Sequence, residues 1–317
     1  LTQVTTLLAG AGLTGCAPAT SGPPAMTLLV PSGPGGGWDQ TARSLERALL
    51  TEQLASSVRV EHAPGGGGAV GLARFLARPG GDSQLLVAGL VMVSALASSR
   101  SPLQLTDTVP IARLTSEYEV IVVHRDSPLQ TITDLVDLWR RDPRAVSWAG
   151  GAAGGTDHLL VAELALASGV VPGDISYVAQ AGGGFVEAAL LGQQVTCGVS
   201  GYGELADQIA AGRLRALAIS AAEPVADIDV PTLVSVGIPV AVENWRGVFA
   251  APGISGEARA AHIARIENVT RSAAWQDAVS RFRWTPRLLT GDAFETFLTT
   301  EIARTTDLLV RVGLLRA

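Results

Sequence analysis

The chain has 317 residues, enough for two domains with cores of ordinary size. Its formal net charge of −6 argues against nucleic acid as a partner, because phosphate recognition needs a basic face. All 23 basic residues are arginine, and the missing lysine excludes a P-loop, a Schiff-base amine and a lysine general base. The composition is 47% hydrophobic and 16% charged, with 36 glycines, yet beyond the N-terminus no apolar run approaches the roughly 20 residues of a helical span.

Residues 1–16, LTQVTTLLAGAGLTGC, read as the end of an export signal, with a short apolar run at 7–13 followed by small residues. Leu13-Thr14-Gly15-Cys16 resembles the lipobox of bacterial lipoproteins. The expectation is therefore a lipid on Cys16 and an extracytoplasmic protein held at the outer face of the cell membrane. The Met and basic segment that open such a signal are missing, so the sequence is expected to start inside it. Residues 17–25 form a small Pro/Ser linker. Cys197, in the apolar run VTCGVS, reads as a buried, inert thiol. The four histidines have no ligand spacing, so no metal site and no cofactor are expected.

Residues 27–30 read as a strand that runs through Pro31 into Gly35, Gly36, Gly37, Trp38 and Asp39. The helix that follows places Ala42, Leu45, Ala48 and Leu49 on one face. Such a loop leaves amide N–H groups unpaired at the positive end of a helix dipole, which suits an anion. Asp39 is expected as the N-cap. A strand at 58–62 then meets Gly66, Gly68 and Gly71, which satisfy GxGxxG. The next strand, 85–89, ends without the acid that a ribose requires, so a close-packed turn facing the same cleft is preferred to a nucleotide site.

A helix at 91–99, strands at 109–114 and 120–124, and a helix at 135–141 capped by Thr133 or Asp134 come next. Arg140 and Arg141 read as a solvated helix end. The strand at 146–149 opens a second anion loop with Gly154, Gly155, Thr156 and Asp157, where Thr156 adds a hydroxyl donor. A third glycine loop, at 179–184, follows a strand at 175–178 and precedes a helix at 185–191. The strand at 195–199 runs into Ser200, Gly201 and Tyr202, ahead of a helix at 204–211. Strands at 214–220 and 245–250 are followed by a largely helical tail: 257–271, 273–282 and 293–312. The alternation predicts parallel sheets with ligands beyond the carboxyl ends of the strands, where all these loops lie. The fold class is α/β with two lobes, each a sheet flanked by helices, and a ligand cleft between them. Residues 26–121 with 248–317 make the first lobe and 122–247 the second, the chain crossing near 120–126 and 242–248. Trp139, Trp148, Trp275 and Trp284 read as core. Arg246, near the second crossing, is a candidate for neutralising a ligand or bracing the lobes.

Six segments in order carry a family resemblance: 30–43, VPSGPGGGWDQTAR; 63–73, APGGGGAVGLA; 148–160, WAGGAAGGTDHLL; 192–220, GQQVTCGVSGYGELADQIAAGRLRALAIS; 229–233, DVPTL; and 244–254, NWRGVFAAPGI. Together they resemble the extracytoplasmic solute receptor of the tripartite tricarboxylate transporter family, over roughly residues 26–317. The resemblance implies a periplasmic-binding-protein fold, a monomer, that closes on a tricarboxylate such as citrate and delivers it to large and small membrane subunits. It implies ligand contacts from Gly35, Gly36, Gly37, Trp38 and Asp39 in one lobe. From the other come Gly154, Gly155, Thr156 and Asp157, with Ala181, Gly182, Ser200, Gly201 and Tyr202 lining the rest. Many relatives have an acid where this chain has Ser200, and the hydroxyl suits a more highly charged anion. Two other readings stay open from the sequence. One is a hydrolase with Ser200 in a near-GxSxG turn, served by His158; the other is a sensor that signals to a membrane kinase.

Overall fold

A computed structural model describes residues 22–78, 81–180 and 183–315. The expected signal, the lipid site Cys16, and Ala181 and Gly182 lie outside the described residues. The first half of the chain comprises β1 (Ala25–Val30), α1 (Gly37–Thr51), β2 (Ser57–His62), α2 (Ala69–Leu76), β3 (Gln84–Gly89), α3 (Leu90–Ser98), β4 (Val109–His124), α4 (Ile132–Arg141), β5 (Ser147–Gly150) and α5 (Thr156–Ser168). The second comprises β6 (Ser176–Ala179), α6 (Gly183–Leu191), β7 (Cys197–Gly201), α7 (Tyr202–Ala210), β8 (Leu214–Ile219), β9 (Glu243–Ala250), α8 (Gly256–Arg271), α9 (Ala273–Phe282), β10 (Thr285–Thr290) and α10 (Gly291–Arg311).

The strands join in the order β2-β1-β3-β9-β4-β7-β5-β6, with β8 and β10 also pairing with β4. The architecture is the expected two-lobed α/β arrangement, but its sheets are mixed rather than purely parallel. β1 runs parallel to β2 and β3, and β5 parallel to β6 and β7. β9 returns antiparallel to both β3 and β4. The two apolar segments read from sequence at 109–114 and 120–124 are one continuous strand of 16 residues. The early part of β4 pairs with β9 and β10, and its later part with β7 and β8, so one strand belongs to both lobes. β10 was not expected in the helical tail; it is held by pairing with β4 rather than by its own mostly exposed sequence pattern.

Two large apolar clusters hold the sheet against its helices, one including Trp139, Trp148, Trp245 and Phe249, the other Leu45, Leu49, Trp275 and Trp284. The four tryptophans assigned to the core are buried. Cys197 is fully buried, and burial pushes its thiol pKa up, which keeps it protonated. α4 is capped by Thr131 with Asp134 in a reciprocal box, not by Thr133 or Asp134. α10 places Phe294 and Leu298 under the sheet, and Leu308 and Leu309 against Leu159 and Ala162 of α5. Its Arg304 also reaches Glu163 of α5 at 2.9 Å. Among the described residues no helix is long and apolar enough to cross a membrane.

Candidate ligand-binding site

Two helices begin at the same cleft. The first is α1, which starts at Gly37 directly after the glycine loop, with Gly36 as its N-cap. Asp39 is therefore not the N-cap that the sequence suggested. It sits inside the first turn and reaches back to accept the Gly35 amide at 2.8 Å, while its other oxygen meets His62 Nε2 at 2.7 Å. Burial pushes its pKa up, but the Gly35 amide and His62 outweigh burial and hold it below the usual carboxylate value. Gly35, at φ +89°, has the left-handed conformation that lets the loop turn into the helix.

The second is α5, which starts at Thr156 with Gly155 as N-cap. Asp157 repeats the device of Asp39, accepting the Gly151 amide at 2.6 Å. The Gly154 amide donates to His158 Nδ1 at 3.0 Å, and the His158 ring stacks on Tyr177 with centroids 4.2 Å apart. Ser94 of α3 donates to the Gly154 carbonyl, so the loop is held from the other lobe as well. These bonds spend side chains on fixing the loops and leave amides at both helix starts directed to the cleft.

The cleft has a volume of about 300 Å³, room for a small metabolite. Of the expected residues it is lined by Gly36, Gly37, Trp38, Gly155, Thr156, Asp157, Ser200 and Gly201. Gly35, Asp39 and Gly154 stand behind the lining, as scaffold for the loops. Tyr202 also lies off the cleft, packing against two apolar clusters at the start of α7 because a helix begins there and turns its ring to the core. The loop of Gly66, Gly68 and Gly71, expected to face the same cleft, does not line it. Gly68 presses against Trp38 and Met92, so that this loop buttresses Trp38 from behind.

Three acids on the cleft wall escaped the sequence reading: Glu117 and Glu119 of β4 and Glu204 of α7. Glu117 and Glu119 are two apart on one strand and so face the same side, with Tyr118 on the other. Two like charges at that spacing in an otherwise apolar run were the available signal. Asn244 and Arg246 follow the same period on β9 and complete the wall. Arg246 is buried and forms a two-pronged ion pair with Glu117, with Nη1 3.0 Å from Oε1. Trp284 Nε1 donates to the same Glu117 oxygen at 2.6 Å, and the guanidinium lies over the Trp284 ring. Gly37 is where it is because a Cβ there would overlap that guanidinium.

Glu119 is only 1% exposed; Asn244 donates to its Oε1 at 3.3 Å, and no protein N–H or hydroxyl reaches its Oε2. Burial, then the charges of Asp157, Glu117 and Glu204, push its pKa well above the ordinary value. Burial followed by the charge of Glu204 lifts Asp157 to about 6, and its carboxyl lies within hydrogen-bonding reach of that of Glu119. Ser200 donates to Glu204 at 2.5 Å. That hydroxyl is committed to an acid and His158 to the Gly154 amide, so the pairing of Ser200 with His158 weighed from sequence is not assembled.

The family model described as "Tripartite tricarboxylate transporter family receptor" matches residues 41–314. Protein BugT of Bordetella pertussis is 28% identical over 293 residues, covering 90% of this chain and 88% of that protein. MatC of Rhodopseudomonas palustris with bound malate has a TM-score of 0.74 at 20% identity, covering 90% of this chain and 98% of MatC. A second R. palustris protein, with adipate, has a TM-score of 0.78 at 19% identity, covering 91% of this chain and 97% of that one. A family match across most of the chain, carried by a two-lobed fold with a polar cleft, makes this protein a member of the tripartite tricarboxylate transporter receptor family, a family of extracytoplasmic solute-binding proteins.

Proposed function

We propose that this protein captures a small organic carboxylate in the cleft and passes it to the membrane subunits of a tripartite transporter. The observation that carries this reading is the meeting of two helix N-termini, at Gly37 and Thr156, on one cleft of about 300 Å³. A ligand carboxylate accepts from the amides of both loops, and each such bond to a charged group contributes roughly 1.5–3 kcal/mol. Neutral amides hold an anion without the deep ion pair that would slow its release. The halves 26–121 with 248–317 and 122–247 close about β4 and β9 as the ligand binds. Lipid on Cys16 anchors a monomer that works without a cofactor or chemistry of its own.

Within the carboxylates, citrate is the expectation drawn from the family resemblance, while malate and adipate occupy two structural relatives. The acids Glu119, Asp157 and Glu204 favour a ligand with fewer net negative charges than the citrate trianion. Calorimetric titration of the full chain, with Cys16→Ala to prevent lipidation, against citrate, malate, adipate, succinate and glutamate tests the reading. At least one acid is expected to bind with a micromolar dissociation constant. Thr156→Val should weaken it by about tenfold, the equivalent of one hydrogen bond to a charged group. Thr156 Oγ1 is buried without a partner in the empty protein, so the same substitution should leave the melting temperature unchanged or raise it. No heat and no thermal stabilisation from any of these acids would reject the reading.

A further inference from the structure

The cleft holds more negative charge than its own residues neutralise. Four carboxyl groups line it, Glu117, Glu119, Asp157 and Glu204, against one cation, Arg246. Arg246 is taken by Glu117 through both of its terminal nitrogens. Glu119, Asp157 and Glu204 are left with neutral donors only: Asn244, the Gly151 amide and Ser200. Glu119 Oε2 accepts from no protein N–H or alcohol hydroxyl, although the residue is 1% exposed. A separate observation points to a ligand at the same place. Thr156, on the cleft wall and 3% exposed, keeps its Oγ1 without any hydrogen-bond partner. Burying an unpaired hydroxyl and an unpaired carboxylate oxygen on the walls of one cleft is unfavourable unless something enters to satisfy them.

The positive end of each helix calls for an anion, and the acidic wall calls for a cation. A single small molecule that carries both signs answers both. We propose that the ligand is a zwitterion: a small carboxylate bearing a protonated amine, with its carboxylate on the amides of the α1 and α5 starts and its ammonium against Glu119, Asp157 and Glu204. An ammonium has three N–H donors and no acceptor, so it supplies hydrogen bonds to carboxyl oxygens on a wall that lacks a free cation of its own. A metal ion is the poorer fit, since among the described residues no three His, Cys, Asp or Glu side chains are grouped to hold one. The inference rests on the carboxylate reading above and narrows its class.

The charge state of the site follows the same logic. Burial raises Glu119 and Asp157, helped at Glu119 by the charges of Asp157, Glu117 and Glu204 and at Asp157 by that of Glu204, and Tyr177 behind them is pushed up by burial and by both acids. His158, beside Tyr177, is held below its usual value by burial. An arriving ammonium favours the ionised carboxylates and so displaces protons. Its affinity should rise between pH 5 and pH 8. A ligand carboxylate that accepted protons from these same acids would show the opposite slope.

Matched pairs test the proposal on the full chain with Cys16→Ala: aspartate against succinate, glutamate against glutarate, and 4-aminobutyrate against butyrate. In the pair that fits the cleft, the amine-bearing member should bind at least about tenfold tighter. That preference should vanish in Glu204→Gln, whose side chain is at the exposed rim, and in Glu119→Gln, each variant being checked for an intact melting curve. If succinate, glutarate or butyrate binds as tightly as its amine-bearing partner, or affinity falls as pH rises, the zwitterion is overturned while the carboxylate receptor stands. If neither member of any pair binds, and the acids of the preceding section also fail, both readings fall together.

Discussion

Glu119 shows how a residue's environment sets both its charge and its cost to the fold. Its carboxyl is buried beside Asp157, with burial the larger cause of a raised pKa. A raised folded-state pKa means that the empty protein holds protons which the unfolded chain has already released. Stability from this pair is therefore greatest below pH 4, and declines as pH rises through the unfolded value towards and beyond the value of about 6 that Asp157 shows. Glu119→Gln should remove much of that decline, raising the empty protein's stability at pH 7.5 by about 1–2 kcal/mol, a few degrees in melting temperature. Melting curves from pH 4 to pH 8 check it, and an unchanged pH slope in the variant would contradict it. Asp39 works in the opposite sense: its lowered pKa gives stability that is present above pH 4 and lost as pH falls through the folded value. Gly36, Gly37 and Thr156, which line the cleft, were legible in the sequence because glycines before a helix start carry their own meaning. Glu117, Glu119 and Glu204 were not, because an acid in a chain reads as surface until a sheet brings three of them to one wall.

Among the elements, β3 and β9 meet where Gly89 allows it. A Cβ at Gly89 would run into the backbone carbonyl of Trp245 on β9, and a backbone carbonyl has nowhere to go inside a sheet. Gly89→Ala should destabilise the protein by more than about 2 kcal/mol, as strained core substitutions do, which a denaturant titration would read directly. Gly37→Ala is the contrasting case. There the new methyl meets only the guanidinium of Arg246, so the variant should fold, yet push Arg246 off Glu117 and weaken ligand binding. A Gly37→Ala variant that binds normally would show that this contact is dispensable. The expected strands and helices were found because apolar spacing marks them locally, whereas β10 was hidden, since its order comes from pairing with β4 and not from its own pattern.

For the whole molecule, β4 is decisive, being paired in one sheet with β9 and β10 and in the other with β7 and β8. Neither half keeps its sheet intact if β4 leaves it. α10 adds a second link, through its apolar contact with α5 and the Arg304–Glu163 pair. The two halves should therefore unfold in one transition, although a chain of this length often shows more than one. Calorimetric and van't Hoff enthalpies should agree, and tryptophan fluorescence and far-ultraviolet dichroism should give one midpoint. Two separated transitions would show that β4 does not couple the halves.

By itself the sequence determined the alternation of strands and helices, the glycine loops at the strand ends and the family, because these rest on local periodicity, on backbone freedom at glycine and on ordered motifs. Tertiary structure alone decided that two apolar segments are one strand, that Asp39 and Asp157 pin loops rather than face a ligand alone, and that Arg246 is already paired. It also decided the sign of the charge on the cleft wall. That charge belongs to no segment: it arises when β4, α5 and α7, far apart in the chain, are folded so that their carboxyl groups line one small cleft.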